Sequence, residues 1–480
     1  MLVEQIYTGC LAQGAYYISS EGEAAIIDPL RETNPYISRA QKDNVKIKYI
    51  FETHFHADFV SGHVDLSKKT GAQIVFGPNA ETSYQSYIAK DGQEFKIGKI
   101  TIKVLHTPGH TLESSTYLLL DENKKPYCIF TGDTLFIGDV GRPDLAIKSA
   151  LTQNDLAAML FDSLQKKIKS LPDDVIVYPA HGAGSACGKN MSKETFDTLG
   201  NQKQKNYALV INSKADFVKE LTTGILPPPQ YFAKNAMLNK NGYSSFEEVM
   251  QKGNKALNAN EVEELVNNND AIILDVRKPL EFAKEHIPNS IFIGIDGQFA
   301  PWVGALITDL KQALILVSPV GREEEVVMRL SRVGYDNCLG YVNGGIEAWK
   351  KAGKKISHIK SISAEEFSTC INPNLNILDV RKPGEYQAHH IKDVKNQPLD
   401  FINEWTNSFD KNKEYHIHCA GGYRSMITAS ILKARGFNKL VDIAGGFAAI
   451  QKTNIPTTTF DCPSQKKSEK KLSWNPLSWF

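Results

Sequence analysis

No stretch of this sequence holds the roughly 18 consecutive apolar residues that a bilayer-spanning helix needs. The opening MLVEQIYTGCLAQGAYYISS has neither the basic start nor the unbroken apolar run of a signal peptide. No membrane partner is expected, and the cytosol is the expected compartment. Neither sign of charge is in excess: 55 Lys and Arg stand against 54 Asp and Glu, a net charge of +1, so nucleic acid is not an expected partner. Cysteines are few and odd in number, namely Cys10, Cys128, Cys187, Cys338, Cys370, Cys419 and Cys462, and they follow no framework spacing. That pattern fits reduced thiols rather than disulfides. A cysteine set apart by its surroundings is then a candidate for chemistry.

What is present is an ordinary globular composition, 42% hydrophobic and 23% charged over 480 residues. Single cores stop growing at roughly 250–300 residues, so about three domains are expected. Up to about residue 210 the chain reads as short apolar runs closed by polar or Gly-rich loops: AAIID, IKYIF, AQIVF, ITIKVL, YCIF and VIVYP. These predict strands of one large mixed sheet. From Thr222 to Tyr243, Pro227, Pro228 and Pro229 predict a stretch without regular structure that wraps the first domain or leads onward. The first boundary is placed near Lys240.

A repeat follows. Leu274-Asp275-Val276-Arg277-Lys278-Pro279 recurs as Leu378-Asp379-Val380-Arg381-Lys382-Pro383, 104 positions later, and Gly344-Gly345 is echoed by Gly445-Gly446. A period near 100 suits two whole domains of one fold rather than solenoid units. The expected domains are 1–240, 255–355 and 360–458, with a lysine-rich tail over 459–480 to which no function is given.

Four polar loops, each after an apolar run, carry the candidate metal ligands: Thr53-His54-Phe55-His56-Ala57-Asp58-Phe59, Thr107-Pro108-Gly109-His110-Thr111, Phe130-Thr131-Gly132-Asp133-Thr134 and Pro179-Ala180-His181-Gly182. Strands ending on one edge bring such loops together, so that imidazoles and carboxylates distant in sequence ring one ion. HxHxD, TPGHT, TGDT and AHG together resemble the metallo-β-lactamase superfamily, whose αββα sandwich the resemblance implies. Its dinuclear zinc hydrolases, similar to glyoxalase II, need a further His directly after the Asp of HxHxD, where this chain has Phe59. A phenyl ring cannot coordinate a metal, so a second position keeps at most Asp58 and His181 with a share of Asp133. His54, His110 and Asp133 remain, two imidazoles and a carboxylate, the facial triad that leaves open positions on Fe(II). The persulfide dioxygenases of this superfamily, which the sequence resembles, use those three positions, and the resemblance implies one Fe(II) per chain.

Gly138-Asp139-Val140-Gly141-Arg142-Pro143-Asp144 contains the GRxD element of those enzymes. Arg142 and Asp144 are therefore expected to hold an anionic substrate or to support the site. His56, Asp58 and His181 are expected to fix ligand orientation, while His63 and His106 are expected to be structural. Cys187, in His181-Gly182-Ala183-Gly184-Ser185-Ala186-Cys187-Gly188, is expected over the metal, carrying or receiving sulfane sulfur as in the bacterial dioxygenase–rhodanese fusions that this stretch resembles. Cys10 is expected to pack as a small hydrophobe.

In the second repeat, Cys419-Ala420-Gly421-Gly422-Tyr423-Arg424-Ser425 ends a candidate strand and opens a candidate helix. The backbone N–H groups of such a loop, the helix N-terminus and Arg424 are expected to stabilise a thiolate or persulfide. With Asp379, Glu385 and the turn at Ala444 to Gly446, the stretch resembles rhodaneses. Four residues separate Cys419 from Arg424, and a loop of that size suits a sulfur atom; related phosphatase loops are one residue longer. The first repeat has Ser318-Pro319-Val320-Gly321-Arg322 instead, with Glu323, Glu324 and Glu325 at the helix start and no cysteine, so a scaffold or spacer is expected there.

The resulting expectation is an α/β fusion that oxidises a low-molecular-weight persulfide with O₂ to sulfite and thiol, and exchanges sulfane sulfur with sulfite or thiosulfate through Cys419, in sulfide detoxification. A homo-oligomer is expected. Two alternatives stand beside it: a zinc thioester hydrolase similar to glyoxalase II with rhodanese passengers, and a sulfur carrier working through Cys419 alone.

Overall fold

The computed structural model describes residues 1–145, 151–225 and 227–459; most of the expected tail, with Cys462, lies outside them. The chain divides into two compact units, residues 1–272 with 295–345, and residues 273–294 with 346 onward.

The first unit is built on two six-stranded sheets. One runs in the order β1 (Leu2–Thr8), β2 (Gln13–Ser20), β3 (Glu23–Ile27), β4 (Lys46–Glu52), β5 (Gln73–Phe76), β6 (Tyr87–Ile88). The other contains β7 (Glu94–Ile97), β8 (Ile100–His106), β9 (Ser115–Leu120), β10 (Pro126–Gly132), β11 (Ile176–Pro179) and β12 (Asp197–Thr198), in the order β12-β11-β10-β9-β8-β7. The single mixed sheet expected from the apolar runs is thus corrected to two. Period-2 alternation shows where a strand's faces point but not which strand it pairs with. Between the sheets, Ile27, Phe51 and Val75 meet Ile102, Val104, Tyr117 and Phe130. On the outer face of the first sheet, Ile26, Ile50 and Ile74 pack against Tyr36 and Leu66 of two helices. On that of the second, Leu118, Ile129 and Val177 pack against Leu160, Leu164 and Phe217. Helices cover both outer faces, which gives the four layers of an αββα sandwich. Strands buried on both faces read as unbroken apolar runs, which explains AAIID and VIVYP.

The Thr222–Tyr243 stretch also departs from expectation. Helix Phe232–Asn241 forms in it immediately beyond the prolines. Its buried Asn239 donates from Nδ2 to the carbonyls of His56 (2.7 Å) and Phe59 (2.8 Å) and accepts from the Ser61 N–H (2.9 Å). The segment read as a wrap therefore pins the HxHxD loop. Residues 295–345 belong to the same unit: the Arg332 carbonyl accepts from the Val60 N–H at 2.7 Å, and the Arg31 guanidinium, stacked 4.1 Å over Tyr243, pairs with Asp336 at 3.0 Å.

The second unit contains an all-parallel five-stranded sheet. Its order is Lys360–Ile362, Leu440–Ile443, Tyr415–His418, Asn376–Asp379 and Lys395–Asn396. Phe367, Val441, Ile443, Phe447 and Ile450 form its core. Residues 291–292 lie in this unit against helix Tyr423–Ala434, with the Phe292 N–H bonded to Ser430 Oγ at 2.9 Å.

Candidate metal centre and sulfur site

His54 follows β4, His110 follows β8, Asp133 follows β10 and His181 follows β11, so the carboxyl ends of strands from both sheets meet at one rim. There His54, His110 and Asp133 are buried, and their ligand atoms lie within 4.8 Å of one another. Asp133 Oδ2 is 3.3 Å from His110 Nε2 and 3.9 Å from His54 Nε2. Gly132, at φ +52°, turns the chain into this position, and the space a Cβ would take there is held by Thr53 Oγ1, 2.6 Å away.

The remaining ring nitrogens are fixed by their partners. His110 Nδ1 lies 2.8 Å from the Arg142 carbonyl, which can only accept, so Nδ1 carries the proton and Nε2 keeps its lone pair. Thr53 Oγ1 donates to Asp28 Oδ2 at 2.9 Å and so accepts from His54 Nδ1, also at 2.9 Å. His54 Nε2 is left basic in the same way. His110 Nε2 and Asp133 Oδ2 are buried without a hydrogen-bond partner, which is costly unless something else satisfies them. A metal ion would do so, and the donor set fits one. Burial, then His56, pushes the pKa of His54 well below the usual range, which keeps its ring neutral. Burial works against the charge of Asp133, but His181 and His110 outweigh it and hold the carboxyl below its ordinary range.

His181 is clamped between Asp133 Oδ1 (2.7 Å from Nδ1) and Asp58 Oδ2 (2.9 Å from Nε2). Burial opposes its protonation, yet the two carboxylates raise its pKa well above the usual value. Counting donors by motif left the second position with Asp58, His181 and a share of Asp133; the structure adds His56, whose ligand atom lies within 4.8 Å of those of Asp58 and His181. His56 is itself drawn aside, with Nε2 3.0 Å from Asp28 Oδ1. Its ring packs 4.3 Å from that of Phe59, whose centroid is 6.4 Å from that of His181. His63 bonds Tyr84 through Nε2 at 2.6 Å and His106 bonds the Leu112 carbonyl at 2.9 Å, outside the donor set.

Arg142 acts on the site through its backbone. Besides holding His110, its N–H donates to the Cys187 carbonyl at 3.0 Å. Its guanidinium forms a fork on Asp144, with both contacts at 2.6 Å, and reaches the Ala186 carbonyl at 3.3 Å. Gly141 is required beside it, because a Cβ there would lie 2.1 Å from the Asp133 carbonyl oxygen. Cys187 is buried, with Sγ grouped within 4.8 Å of ligand atoms of Asp133 and His181. Burial, then Asp58 and Asp133, raises its pKa well above the usual value, so it rests as a thiol. Cys10 is half-buried rather than packed away, and Arg332 Nη1 reaches its sulfur at 3.4 Å.

In the second unit Cys419 directly follows the central strand, and Sγ accepts from the Gly422 N–H at 3.1 Å. Gly422, at φ +99°, turns the loop into helix Tyr423–Ala434. Phe447 N–H holds the Cys419 carbonyl at 2.6 Å and Ala448 N–H that of Ala420 at 3.0 Å, so the AGG turn braces the cradle. Arg424 was expected at the sulfur. Instead Nη1 and Nη2 pair with Glu385 at 2.6 and 2.7 Å, and its charge reaches Cys419 only through space. Asp379 is forked by Arg381, whose guanidinium lies 3.9 Å over Phe447. In the first unit, Arg322 pairs with Asp296 and Glu325 at the loop that lacks a cysteine.

Comparisons with known proteins agree with this architecture. The metallo-beta-lactamase superfamily matches residues 8–181, and the rhodanese-like domain matches twice, over 258–352 and 363–453. The probable hydroxyacylglutathione hydrolase glo2 of Schizosaccharomyces pombe is 34% identical over 161 residues, 33% of this chain, and the chain spans only 58% of that protein's length. The mitochondrial persulfide dioxygenase ETHE1 of Homo sapiens is 31% identical over 210 residues, 43% of this chain and 74% of that protein. A solved metallo-beta-lactamase structure from Staphylococcus aureus is 31% identical, covering 72% of this chain and 98% of that one at a TM-score of 0.63. The chain therefore belongs to the metallo-β-lactamase superfamily, as a homologue of the persulfide dioxygenases with two rhodanese-like domains fused behind its metallo-β-lactamase domain.

Proposed function

We propose that the first domain is an Fe(II)-dependent persulfide dioxygenase with one iron per chain, and that Cys419 exchanges sulfane sulfur between persulfide, sulfite and thiosulfate, in sulfide detoxification. The observation that carries this reading is the buried group of two imidazoles and one carboxylate, with both Nδ1 atoms engaged and Nε2 directed inward. Persulfide, O₂ and water balance to thiol and sulfurous acid, which ionises to sulfite. Bound by His54, His110 and Asp133, Fe(II) supplies open coordination positions for a soft sulfur ligand and O₂. The chain's own groups do the rest. Arg142 and Thr53 hold the two imidazoles in register, and Phe59 fills space beside His56 with an apolar ring. Cys187, a neutral thiol among these groups, is placed to receive sulfur; Arg142 and Asp144 tie its loop. At the second site Gly422 N–H stabilises sulfur on Cys419, and Glu385 fixes Arg424.

The test is oxygen uptake by the full chain, purified anaerobically, on glutathione persulfide, coenzyme A persulfide and bacillithiol persulfide. Uptake with sulfite formation on at least one is expected, and its absence with iron bound overturns the proposal. A second reading, thioester hydrolysis at two zinc ions, draws on the His56, Asp58 and His181 group and on the hydroxyacylglutathione hydrolase relatives. Two zinc ions per chain with thioester cleavage would select it. The sulfur-carrier reading requires that the metal ligands be dispensable. Among the described residues no helix is long and apolar enough to cross a membrane.

A further inference from the structure

The loop that follows Cys419 has little of its own to hold it. Gly421 is exposed, with nothing within 4 Å of a Cβ placed there, and Gly422 takes φ +99°. Glycines leave such a segment free to move unless its two ends are fixed. The entry is fixed by the Phe447 and Ala448 N–H groups. At the exit stands Tyr423, directly after the Gly422 N–H that meets Sγ, and its hydroxyl donates to the Gly294 carbonyl at 2.7 Å. Gly294 lies within the first rhodanese-like match, yet it belongs to the same compact unit as the loop. Strand Ile291–Phe292 leads up to it. The Phe292 ring stands edge-on to that of Tyr423, with centroids 5.9 Å apart, and the Phe292 N–H bond to Ser430 Oγ engages the same helix seven residues later. Seven residues are about two helical turns, so Tyr423 and Ser430 share one face. Residues 291–294 thus grip that face at two points. Space at Gly294 is already taken: a Cβ would meet the Arg277 carbonyl oxygen at 2.9 Å and Tyr423 Cε2 at 3.2 Å. An apolar contact would ask only for the Tyr423 ring; the hydroxyl on a backbone carbonyl fixes the start of the helix at one distance from that strand.

We propose that Gly294 and Tyr423 are positioning residues for Cys419, so that the repeat without a loop cysteine supplies part of the sulfurtransfer site. This rests on the reading of Cys419 as the sulfur acceptor. In loading, the thiol gives its proton to solvent and the thiolate attacks the outer sulfur of thiosulfate; the new S–S bond forms as the old one breaks, and the electron pair of the old bond leaves with sulfite. Unloading onto sulfite reverses each transfer, so no external oxidant or reductant is needed. Negative charge rests on Sγ before sulfur arrives and again after it leaves. A hydrogen bond weakens steeply when its angle is lost, so the Gly422 N–H serves that charge only while the start of the helix keeps its place. Tyr423 sets that place through Gly294.

The test is the pH profile of kcat/KM for thiosulfate in the full chain with cyanide as acceptor, which in a double-displacement reaction reports only sulfur loading. Tyr423→Phe keeps the ring and removes the hydroxyl. Turnover should fall about fivefold to tenfold on the acid side, the worth of one hydrogen bond, and recover in alkali, where the thiolate forms without help. Gly294→Ala lies outside the loop and should give the same displaced profile. The double variant should be no worse than either single one, because both act through one contact. Tyr423→Phe decides the matter if Gly294→Ala does not fold. A wild-type profile in Tyr423→Phe, a uniform fall at every pH, or losses that multiply in the double variant overturn the proposal. Cys419→Ser run in parallel should be inactive; turnover surviving in it would overturn the underlying reading of Cys419 instead.

Discussion

At the scale of single residues, the metal site is defined by which nitrogen of each ring is free. The histidines and Asp133 were legible because motif spacing after apolar runs marks them. The groups that orient them were not, because Arg142 acts through a backbone carbonyl and Thr53 through a hydroxyl bridging Asp28 to His54. Neither leaves a pattern in sequence. A three-donor site has no spare ligand, so Asp133→Ala should abolish iron retention and O₂ uptake, read by metal analysis and an oxygen electrode; retained iron with activity removes Asp133 from the site. Thr53→Val, which keeps shape but breaks the bridge, should weaken metal affinity about 10–100-fold, measured by competition with a chelator. Cys187→Ser should slow persulfide oxidation more than thiosulfate cleavage. Equal effects on the two return that residue to a packing role. The Arg424–Glu385 pair was illegible for a related reason: the loop motif places an arginine next to the sulfur, but its carboxylate partner lies 39 positions earlier.

At the scale of elements, apolar runs disclosed six of the twelve strands in the first unit's two six-stranded sheets but not their division between the sheets, since alternation along a run does not say which strand it pairs with. The triple proline hid helix Phe232–Asn241, and nothing in the sequence marks Asn239 as the residue that pins the HxHxD loop. Asn239→Ala removes three buried hydrogen bonds and should lower stability by about 2–4 kcal/mol, visible in denaturant unfolding, with metal retention falling alongside. The central strand of the second unit carries a pH dependence of its own. His418 is fully buried with both ring nitrogens unpartnered; burial, opposed in part by Asp379, lowers its pKa from 6.5 to about 4. The unfolded chain therefore binds a proton that the folded chain refuses. The stabilising difference is complete above pH 6.5 and is lost as pH falls through 4, up to about 3 kcal/mol. His418→Leu should flatten acid unfolding of this unit across that window, and an unchanged slope would assign the acid sensitivity elsewhere.

At the scale of the whole molecule, the repeated LDVRKP announced two related domains, of which only the second carries a cysteine in its loop, because a short local motif is readable where long-range pairing is not. What the candidate metal site would act on is not written in any motif; it depends on how many donors would surround a metal and which metal they would select. The donors and the thiol lie in different compact units, so Cys419→Ser should leave O₂ uptake intact while thiosulfate formation stops and sulfite accumulates. Phe59→His should raise affinity for a second metal, read as metal per chain. The central claim is tested most directly by counting metal in anaerobically purified full-length protein while following O₂ consumption on a persulfide. The account predicts one iron per chain and one O₂ consumed for each sulfite formed; two zinc ions per chain, thioester cleavage and no O₂ uptake would contradict it.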